Sequence, residues 1–269
     1  NGAGKSTTMN IICGVLNQTE GEVYLNGYNL RTNPVEAKRH IGFLPQKPPL
    51  YPDITVEEYL TYAANLRLMN TSEIPAAVEK AMKRCDITHF RERIINNLSG
   101  GYQQRVGIAQ AIIHDPLFVI LDEPTNGLDP NQITEVRHLI KGIAEDRAVL
   151  ISTHILPEVQ AVCDYIMMIE HGQKVFEGTI NAFNTYMSPS ALMTIMHNAP
   201  TTEELLKIEG IVRVERLTKT RIRLHFKGDN AIVGRVVKQA VENQWHLREI
   251  SLEKESLDKV FAKLSGKEV

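Results

Sequence analysis

The sequence lacks a cysteine framework, an excess of charge of either sign and any long apolar run. Its three cysteines are far apart and form no C-x-x-C pair, which argues against a zinc site and a disulfide framework. The formal net charge is only -2, so no nucleic acid is expected as a partner. No apolar run approaches the ~20 residues that a membrane-spanning helix needs. If the protein works in transport, another polypeptide must form the pathway.

Length and composition are those of a globular protein. The chain has 269 residues, of which 43% are hydrophobic and 23% charged, and this length suits one large domain plus a small one. Composition shifts near residues 188–190, which read Ser-Pro-Ser. We therefore expect a first domain over residues 1–187 and a smaller one over residues 190–269.

The first seven residues, NGAGKST, predict a phosphate-binding loop. Phosphate oxygens need backbone N–H donors around them, and glycines let the backbone approach that closely. Lys5 would reach the β- and γ-phosphates, and the Ser6 hydroxyl would ligate Mg²⁺. The alternative is a glycine-rich turn followed by an incidental lysine. The residues expected to contact the nucleotide here are Asn1, Gly2, Ala3, Gly4, Lys5, Ser6 and Thr7. Because such a loop normally follows a buried strand, we expect the chain to be truncated at its N-terminus.

Two carboxylates follow an apolar run at residues 117–121. Short runs of this kind fit strands that are buried on both faces of a parallel sheet. Such a strand would deliver Asp122 into a site where it holds the metal, and Glu123 would accept a proton from an attacking water. The alternative is a solvated Asp-Glu turn at the end of a strand.

A Leu-Ser-Gly-Gly segment at residues 98–101 stands shortly before this strand. A serine hydroxyl and glycine N–H groups at the start of a helix form an anion site, which here would use Ser99, Gly100 and Gly101. Taken alone, the segment indicates only a turn with a helix cap. Its position before the Asp-Glu strand favours anion binding.

The spacing of apolar residues predicts a doubly wound α/β domain. A helical subdomain is expected over about residues 54–113, with Thr55 and Glu58 forming a capping box at its start and with helical periodicity that continues to about residue 95. The expected elements are helices at 6–16 and 103–113, strands at 41–44, 117–121 and 148–151, and a hairpin around residues 171–172.

Residues 190–269 predict a small α+β domain of the ferredoxin-like, split βαβ type. Residues 221–226 alternate polar and apolar side chains, as a half-solvated strand does. The expected elements are strands at 191–196, 212–217, 221–226 and 247–252, and helices at 202–208, 231–242 and 257–264.

The ordered set of NGAGKST, Gln46, LSGG, LDEPTNGLD and His154 resembles the nucleotide-binding domain of ABC transporters. The likeness covers residues 1–185. Many NTPases share the phosphate loop, but the pairing of LSGG with LDEP is diagnostic of this family. The resemblance implies a P-loop NTPase fold, ATP and Mg²⁺ as ligands, and ATP hydrolysis.

The resemblance also implies roles for single residues. Gln46 matches the residue that touches Mg²⁺ and senses the membrane partner, and Asp129 matches the residue that links two nucleotide sites across a dimer. His154 matches the switch histidine at the γ-phosphate, and Ser99 and Gly101 would contact ATP held by a second subunit. The alternatives are a solvated loop residue for Gln46, a turn former for Asp129 and a strand-end histidine bonded to backbone for His154.

One residue departs from the family pattern. Tyr102 stands where the family usually has glutamine. Ser99 and Gly101, which would contact the anion, are intact, so we expect activity to survive this difference.

The predicted βαββαβ unit, which ends in residues 257–264, resembles the tail of exporter ATP-binding subunits of the drug-resistance and gliding-motility-associated kind. This implies export through a separate transmembrane permease. The resemblance of residues 1–185 implies a sandwich dimer, expected to be a homodimer with a heterodimer left open, and a peripheral location on the cytoplasmic face of the plasma membrane. Two alternatives stay open. One is a soluble ABC-type ATPase that remodels ribosomes or DNA, and the other is a module that binds ATP without hydrolysing it.

Overall fold

The computed structural model describes residues 2–186, 191–228 and 231–253. It divides into two compact units, the first formed by Asn1–Asp164 with Met168–Lys174 and the second by Tyr165–Met167 with Val175–Val269. The predicted domain boundary at residues 187–190 lies outside the described residues and stays a prediction.

The first unit begins with an α/β arrangement. Its elements are, in chain order, α1 (Lys5–Ile12), β1 (Tyr24–Leu25), β2 (Tyr28–Asn29), α2 (Pro34–Arg39), β3 (Ile41–Leu44), α3 (Val56–Leu66), α4 (Ile74–Arg84), α5 (Gly100–Ile112), β4 (Phe118–Asp122), α6 (Pro130–Ala144), β5 (Ala148–Ser152) and α7 (Leu156–Val162). A hairpin of β6 (Tyr165–Glu170) and β7 (Gln173–Thr179) follows, and its tip belongs to this unit.

A parallel sheet with the strand order β3-β4-β5 forms the centre of this unit. The apolar run before the two carboxylates is confirmed as the middle strand, shifted by one residue from the expected 117–121. Leu117 is 56% exposed and stays outside the strand, whereas Asp122 lies inside it and pairs with Ser152. Because the strands are parallel, the residues that end them meet at one edge of the sheet.

Helix α1 is shorter than the expected 6–16. It ends at Ile12 because Gly14, just after the C-cap, has a φ of 66° in the left-handed region, which stops a helix. Met9 of α1 and its C-cap residue Cys13 are buried in one cluster with Ile120 of β4. This packing fixes the start of α1, and the glycine-rich loop before it, on the central strand.

The helical segment consists of α3, α4 and α5. The predicted capping box of Thr55 and Glu58 is confirmed, but the helical pattern does not continue as one run to residue 95. Asp86 has a φ of 54°, and two short 3₁₀ turns replace the helix before α5. Helix α5 packs tightly on β3: a Cβ at Gly42 would lie 2.0 Å from the carbonyl oxygen of Ala111.

The second unit is a four-stranded antiparallel sheet with helices on one face. Its remaining elements are α8 (Ile180–Tyr186), β8 (Ala191–Met196), α9 (Thr202–Leu206), β9 (Ile211–Arg216), β10 (Arg221–Phe226), α10 (Ile232–Glu242) and β11 (Leu247–Glu253). The strand order β11-β8-β10-β9 is that of a ferredoxin-like domain, as predicted. Side chains of α9 and α10, including Leu205 and Val236, share a core with Leu192 and Leu224 of the sheet. The helix expected at residues 257–264 lies outside the described residues.

Among the described residues, no helix combines the length and the hydropathy needed to cross a bilayer.

Candidate functional site

The carboxyl edge of the β3-β4-β5 sheet gathers four of the residues singled out by the sequence. Asp122 ends β4 and Glu123 follows it directly, both buried. His154 stands two residues after the end of β5, and Gln46 stands two residues after the end of β3; both are exposed. A single edge therefore presents two carboxylates, an imidazole and an amide.

Glu123 and His154 are in direct contact. The Nδ1–H of His154 donates to the Glu123 carboxylate, with distances of 3.0 Å to Oε1 and 2.9 Å to Oε2. The Glu123 side chain is 10% exposed and that of His154 is 53% exposed, so the imidazole stands between the buried carboxylate and solvent.

The backbone of Glu123 is itself unusual. It has a φ of 50°, in the left-handed region, and its N–H donates to the carbonyl oxygen of Ser152 at 2.9 Å. A non-glycine residue with such a backbone is strained, and strain of this kind concentrates at functional sites. The change in backbone conformation at Glu123 ends strand β4 at Asp122, so Glu123 lies outside the strand.

Asp122 carries a buried oxygen that nothing satisfies within the described parts of the chain. The residue is 4% exposed, and its Oδ1 has no hydrogen-bond partner there. An unpaired buried carboxylate oxygen is costly, and a cation would relieve that cost.

The donor set at this edge fits Mg²⁺. Asp122 and Gln46 at this edge offer a carboxylate and an amide oxygen, and Ser6 in the first turn of α1 offers a hydroxyl; all three are hard oxygen ligands, which Mg²⁺ prefers. The described residues contain no group of three or more His, Cys, Asp or Glu side chains able to hold a metal ion. Mg²⁺ commonly takes one or two carboxylates together with waters and substrate phosphates.

The glycine-rich loop has the backbone that its sequence predicts. Gly2 and Gly4 have φ values of 85° and 100°, a region that residues with a Cβ rarely adopt. Gly4 is the N-cap of α1 and supplies no side chain to its first N–H groups, which leaves these donors open to an anion. Ala3 is held in place, since its carbonyl oxygen accepts from Gly172 N–H at 3.0 Å. Lys5, Ser6 and Thr7 form the first turn of α1, and Asn1 lies outside the described residues.

The Leu-Ser-Gly-Gly segment lies elsewhere, at the start of α5. Ser99 is its N-cap, exposed, and within the described chain its side chain makes no capping hydrogen bond. Gly100 is exposed as well, whereas Gly101 is buried against Gln132 of α6. Within the described chain, the Ser99 hydroxyl therefore does not bond to the first N–H groups of α5.

Tyr102 turns towards the helical segment. Its ring makes edge contacts with Phe90 at 4.5 Å and with His89 at 5.8 Å between centroids, and the Arg105 guanidinium lies 5.5 Å from its centre. A tyrosine at this position is therefore accommodated by packing inside the segment.

Asp129 caps α6. Its Oδ1 accepts the N–H groups of Asn131 and Gln132 at 2.9 and 3.0 Å. This explains why an aspartate precedes Pro130, since Asp is a preferred N-cap and proline is tolerated in the first turn. Its Oδ2 is not used by these two bonds.

Three side chains next to the edge were not singled out from the sequence: Thr125, Thr153 and Glu158. Glu158 of α7 is 3% exposed and accepts hydrogen bonds from both threonine hydroxyls. The only signal in the sequence is an acidic residue in the short, otherwise uncharged helix LPEVQAV. Such a residue is more often exposed, so the pattern alone does not reveal it.

Comparison with known proteins gives consistent matches. The family model described as ABC transporter matches residues 1–126. The ABC transporter ATP-binding protein NatA of Bacillus subtilis is 36% identical over 184 residues, which cover 68% of this chain and 75% of that protein. The bacitracin transport ATP-binding protein BcrA of Bacillus licheniformis is 29% identical over 278 residues, covering 99% of this chain and 86% of BcrA.

Among solved structures, the chain resembles the dimeric ATP-binding cassette MJ0796 in a post-hydrolysis state bound to ADP and Pi. The TM-score is 0.59 and the identity 28%, and the match covers 66% of this chain and 81% of MJ0796.

Proposed function

The chain belongs to the ABC transporter family as an ATP-binding, ATP-hydrolysing subunit with the P-loop NTPase fold, and on that premise we propose that it hydrolyses ATP between two copies of itself to drive export through a separate permease. The observation that carries the assignment of residues is the contact of His154 with Glu123 beside the unsatisfied oxygen of Asp122.

Glu123 is the general base in this proposal. As the oxygen of a water bonds to the γ-phosphorus, the bond from that phosphorus to the β–γ bridging oxygen breaks, ADP leaves, and Glu123 takes the proton of the water. His154 uses Nδ1 to hold the carboxylate, which leaves Nε2 for the γ-phosphate. Catalysis is then mostly placement and charge stabilisation.

Lys5 and the N–H groups of the glycine-rich loop bind the phosphates. The left-handed φ values of Gly2 and Gly4 and the open start of α1 support this role. Asp122, Ser6 and Gln46 would hold Mg²⁺, which when bound supplies positive charge that neutralises the phosphate oxygens.

A second copy would complete the site with Ser99, Gly100 and Gly101, and Asp129 would lie at the contact. Among the described residues, the Ser99 hydroxyl makes no capping hydrogen bond, which supports this arrangement, as does the dimeric state of MJ0796, to which the chain is similar. A homodimer is the simplest form in which each copy supplies one half of two sites.

Transport through a permease at the cytoplasmic face of the plasma membrane is supported by the likeness to BcrA, a bacitracin transport protein, over nearly the whole chain. That alignment includes the second, ferredoxin-like unit. Export as the direction rests on the resemblance of the C-terminal segment, and the formal charge of -2 gives no support for a nucleic-acid partner.

Isolation from membranes of the source cell tests the proposal. A tagged chain is expected to co-purify with a protein of several membrane spans, and ATP hydrolysis should be stimulated in that complex. Co-sedimentation with ribosomes, with no membrane protein recovered, would instead favour a soluble remodelling ATPase.

A further inference from the structure

Glu158 is a buried carboxylate that the proposed hydrolysis does not use. It lies in α7, is 3% exposed, and divides its two oxygens between two threonines. Oε1 accepts from the hydroxyl of Thr125, and Oε2 accepts from the hydroxyl of Thr153 at 2.8 Å. Burying a charged group costs folding free energy. The two hydrogen bonds offset part of this cost and connect the segments that contain the two threonines.

The two threonines flank the contact between Glu123 and His154. Thr125 is two residues after Glu123, and Thr153 is immediately before His154. The Thr153 hydroxyl also accepts the N–H of Ile155 at 3.1 Å, so its orientation is fixed from both sides. Glu158 therefore ties the segment that carries the proposed base to the segment that carries the proposed γ-phosphate contact.

The same carboxylate faces α6. Nη2 of Arg137 lies 3.8 Å from Oε1 of Glu158, and this guanidinium is the cation nearest to the buried charge in the described part of the chain. Arg137 belongs to the helix that Asp129 caps. The position of the proposed dimer contact is thereby connected to the position of Glu123 and His154.

We propose that Glu158 is a positioning residue for ATP hydrolysis: it holds Glu123 and His154 in register through Thr125 and Thr153. The inference rests on the proposed roles of Glu123 and His154. Glu158 touches neither nucleotide nor metal in this proposal, and its effect reaches the reaction only through the two threonines.

The consequence for kinetics is specific. Placement governs phosphoryl transfer, and a shift of about 1 Å in a catalytic group can lower the rate by roughly 100-fold. Binding depends instead on Lys5 and the loop before α1, which share no hydrogen bond with Glu158 in the described structure. Loss of Glu158 should lower kcat and leave KM for ATP nearly unchanged.

The test compares Glu158→Ala, Glu158→Gln, Thr153→Val and the double variant Glu158→Ala/Thr153→Val in the full chain. Glu158→Ala should lower kcat roughly 10- to 100-fold with KM within about twofold of the wild type. Glu158→Gln should retain more activity, because its amide can accept from one threonine and donate to the other. The double variant should be no slower than Glu158→Ala, since both remove one interaction.

Glu204→Ala is the matched control. Glu204 also accepts from a threonine, with 3.0 Å to the hydroxyl and 2.7 Å to the N–H of Thr201, but in the second unit. The Glu204→Ala variant should keep the kcat of the wild type. All assays are run below the measured melting temperature of every variant, so that loss of folded protein is separated from loss of rate.

A kcat of Glu158→Ala within about twofold of the wild-type value would overturn the inference. So would a loss of activity that equals the unfolded fraction of the variant, or a KM for ATP that rises as kcat falls. Additive losses of kcat in the double variant would overturn it as well. If Glu158→Ala does not fold, Thr153→Val decides by the same criteria. Glu123→Gln is assayed alongside. Full turnover by Glu123→Gln would refute the proposed base itself, whereas an inactive Glu123→Gln beside a normal Glu158→Ala would refute only the role of Glu158.

Discussion

His154 reaches Glu123 from the next strand of the sheet, and its Nδ1 lies within 3.0 Å of both carboxylate oxygens. Glu123 follows β4 and His154 follows β5, which pair in parallel with Asp122 opposite Ser152. The contact is therefore a product of strand register, and each partner restrains the other before any nucleotide is bound.

Replacing the proposed base tests this pair most directly. Glu123→Gln keeps the size of the side chain but cannot take a proton, so phosphate release should fall roughly 10²- to 10⁴-fold while ATP binding persists. Release is measured with a phosphate assay and binding with a fluorescent ATP analogue. Glu145→Gln, at an exposed position after α6, serves as the control and should hydrolyse normally; an equally active Glu123→Gln would remove Glu123 from its role.

Neighbouring glycines of α5 should respond differently to a methyl group. A Cβ at Gly101 would lie 2.6 Å from Cδ of Gln132, whereas a Cβ at Gly100 meets nothing within 4 Å among the described residues. Because the obstructing atoms belong to the flexible side chain of Gln132, Gly101→Ala should cost about 1 kcal/mol or less of unfolding free energy, and Gly100→Ala should change it by less than about 0.5 kcal/mol.

Urea unfolding measures both variants. Adding Gln132→Ala to Gly101→Ala should recover most of the lost stability, because the shorter side chain vacates the space. Equal stability of the two single variants would show that Gln132 moves aside at no cost.

The strand ends, the capping box at Thr55 and the glycine backbone could be predicted from the sequence because each depends on a local pattern. Asp122, Glu123 and His154 follow apolar runs, and runs of that kind form parallel strands whose ends meet. The network of Glu158 could not be predicted, because its partners are set by how α7 packs. The break after α4 was missed for a similar reason: Asp86 adopts a left-handed backbone that its residue type only weakly signals.

We expect His114 to make the first unit sensitive to acid. Burial, and then the charge of Arg67, lower the pKa of its imidazole from 6.5 to about 4, and the ring contacts the carbonyl oxygen of Ile41 at 2.9 Å. Above pH 6.5 the ring is neutral in both the folded and unfolded states. Between pH 6.5 and about 4 only the unfolded chain binds the proton. The free energy of unfolding therefore decreases by up to about 3 kcal/mol as the pH is lowered through this range.

His114→Gln should remove this part of the pH dependence, because glutamine can donate to the same carbonyl without titrating. Unfolding free energies in urea at about pH 7.5, 5.5 and 4.5 give the slope for each variant. His138→Gln, at an exposed position, should keep the slope of the wild type. An unchanged slope in His114→Gln would mean that other groups account for the acid sensitivity.

The buried oxygen of Asp122 predicts a conflict between stability and activity. Oδ1 has no hydrogen-bond partner within the described chain, so in Mg²⁺-free buffer the carboxylate is a cost to the fold. Asp122→Asn should raise the melting temperature measured in EDTA, abolish hydrolysis, and remove the extra stabilisation that Mg²⁺ gives in the presence of a non-hydrolysable ATP analogue.

Asp146→Asn is the matched control for that experiment. Asp146 is exposed and pairs with Arg84 and Arg147, so its replacement should not raise the melting temperature and should leave the response to Mg²⁺ intact. A lower melting temperature of Asp122→Asn in EDTA would show that the carboxylate serves the fold. A higher one, with the Mg²⁺ response lost, would mean that the strand keeps a costly charge because the metal, rather than the protein, is its partner.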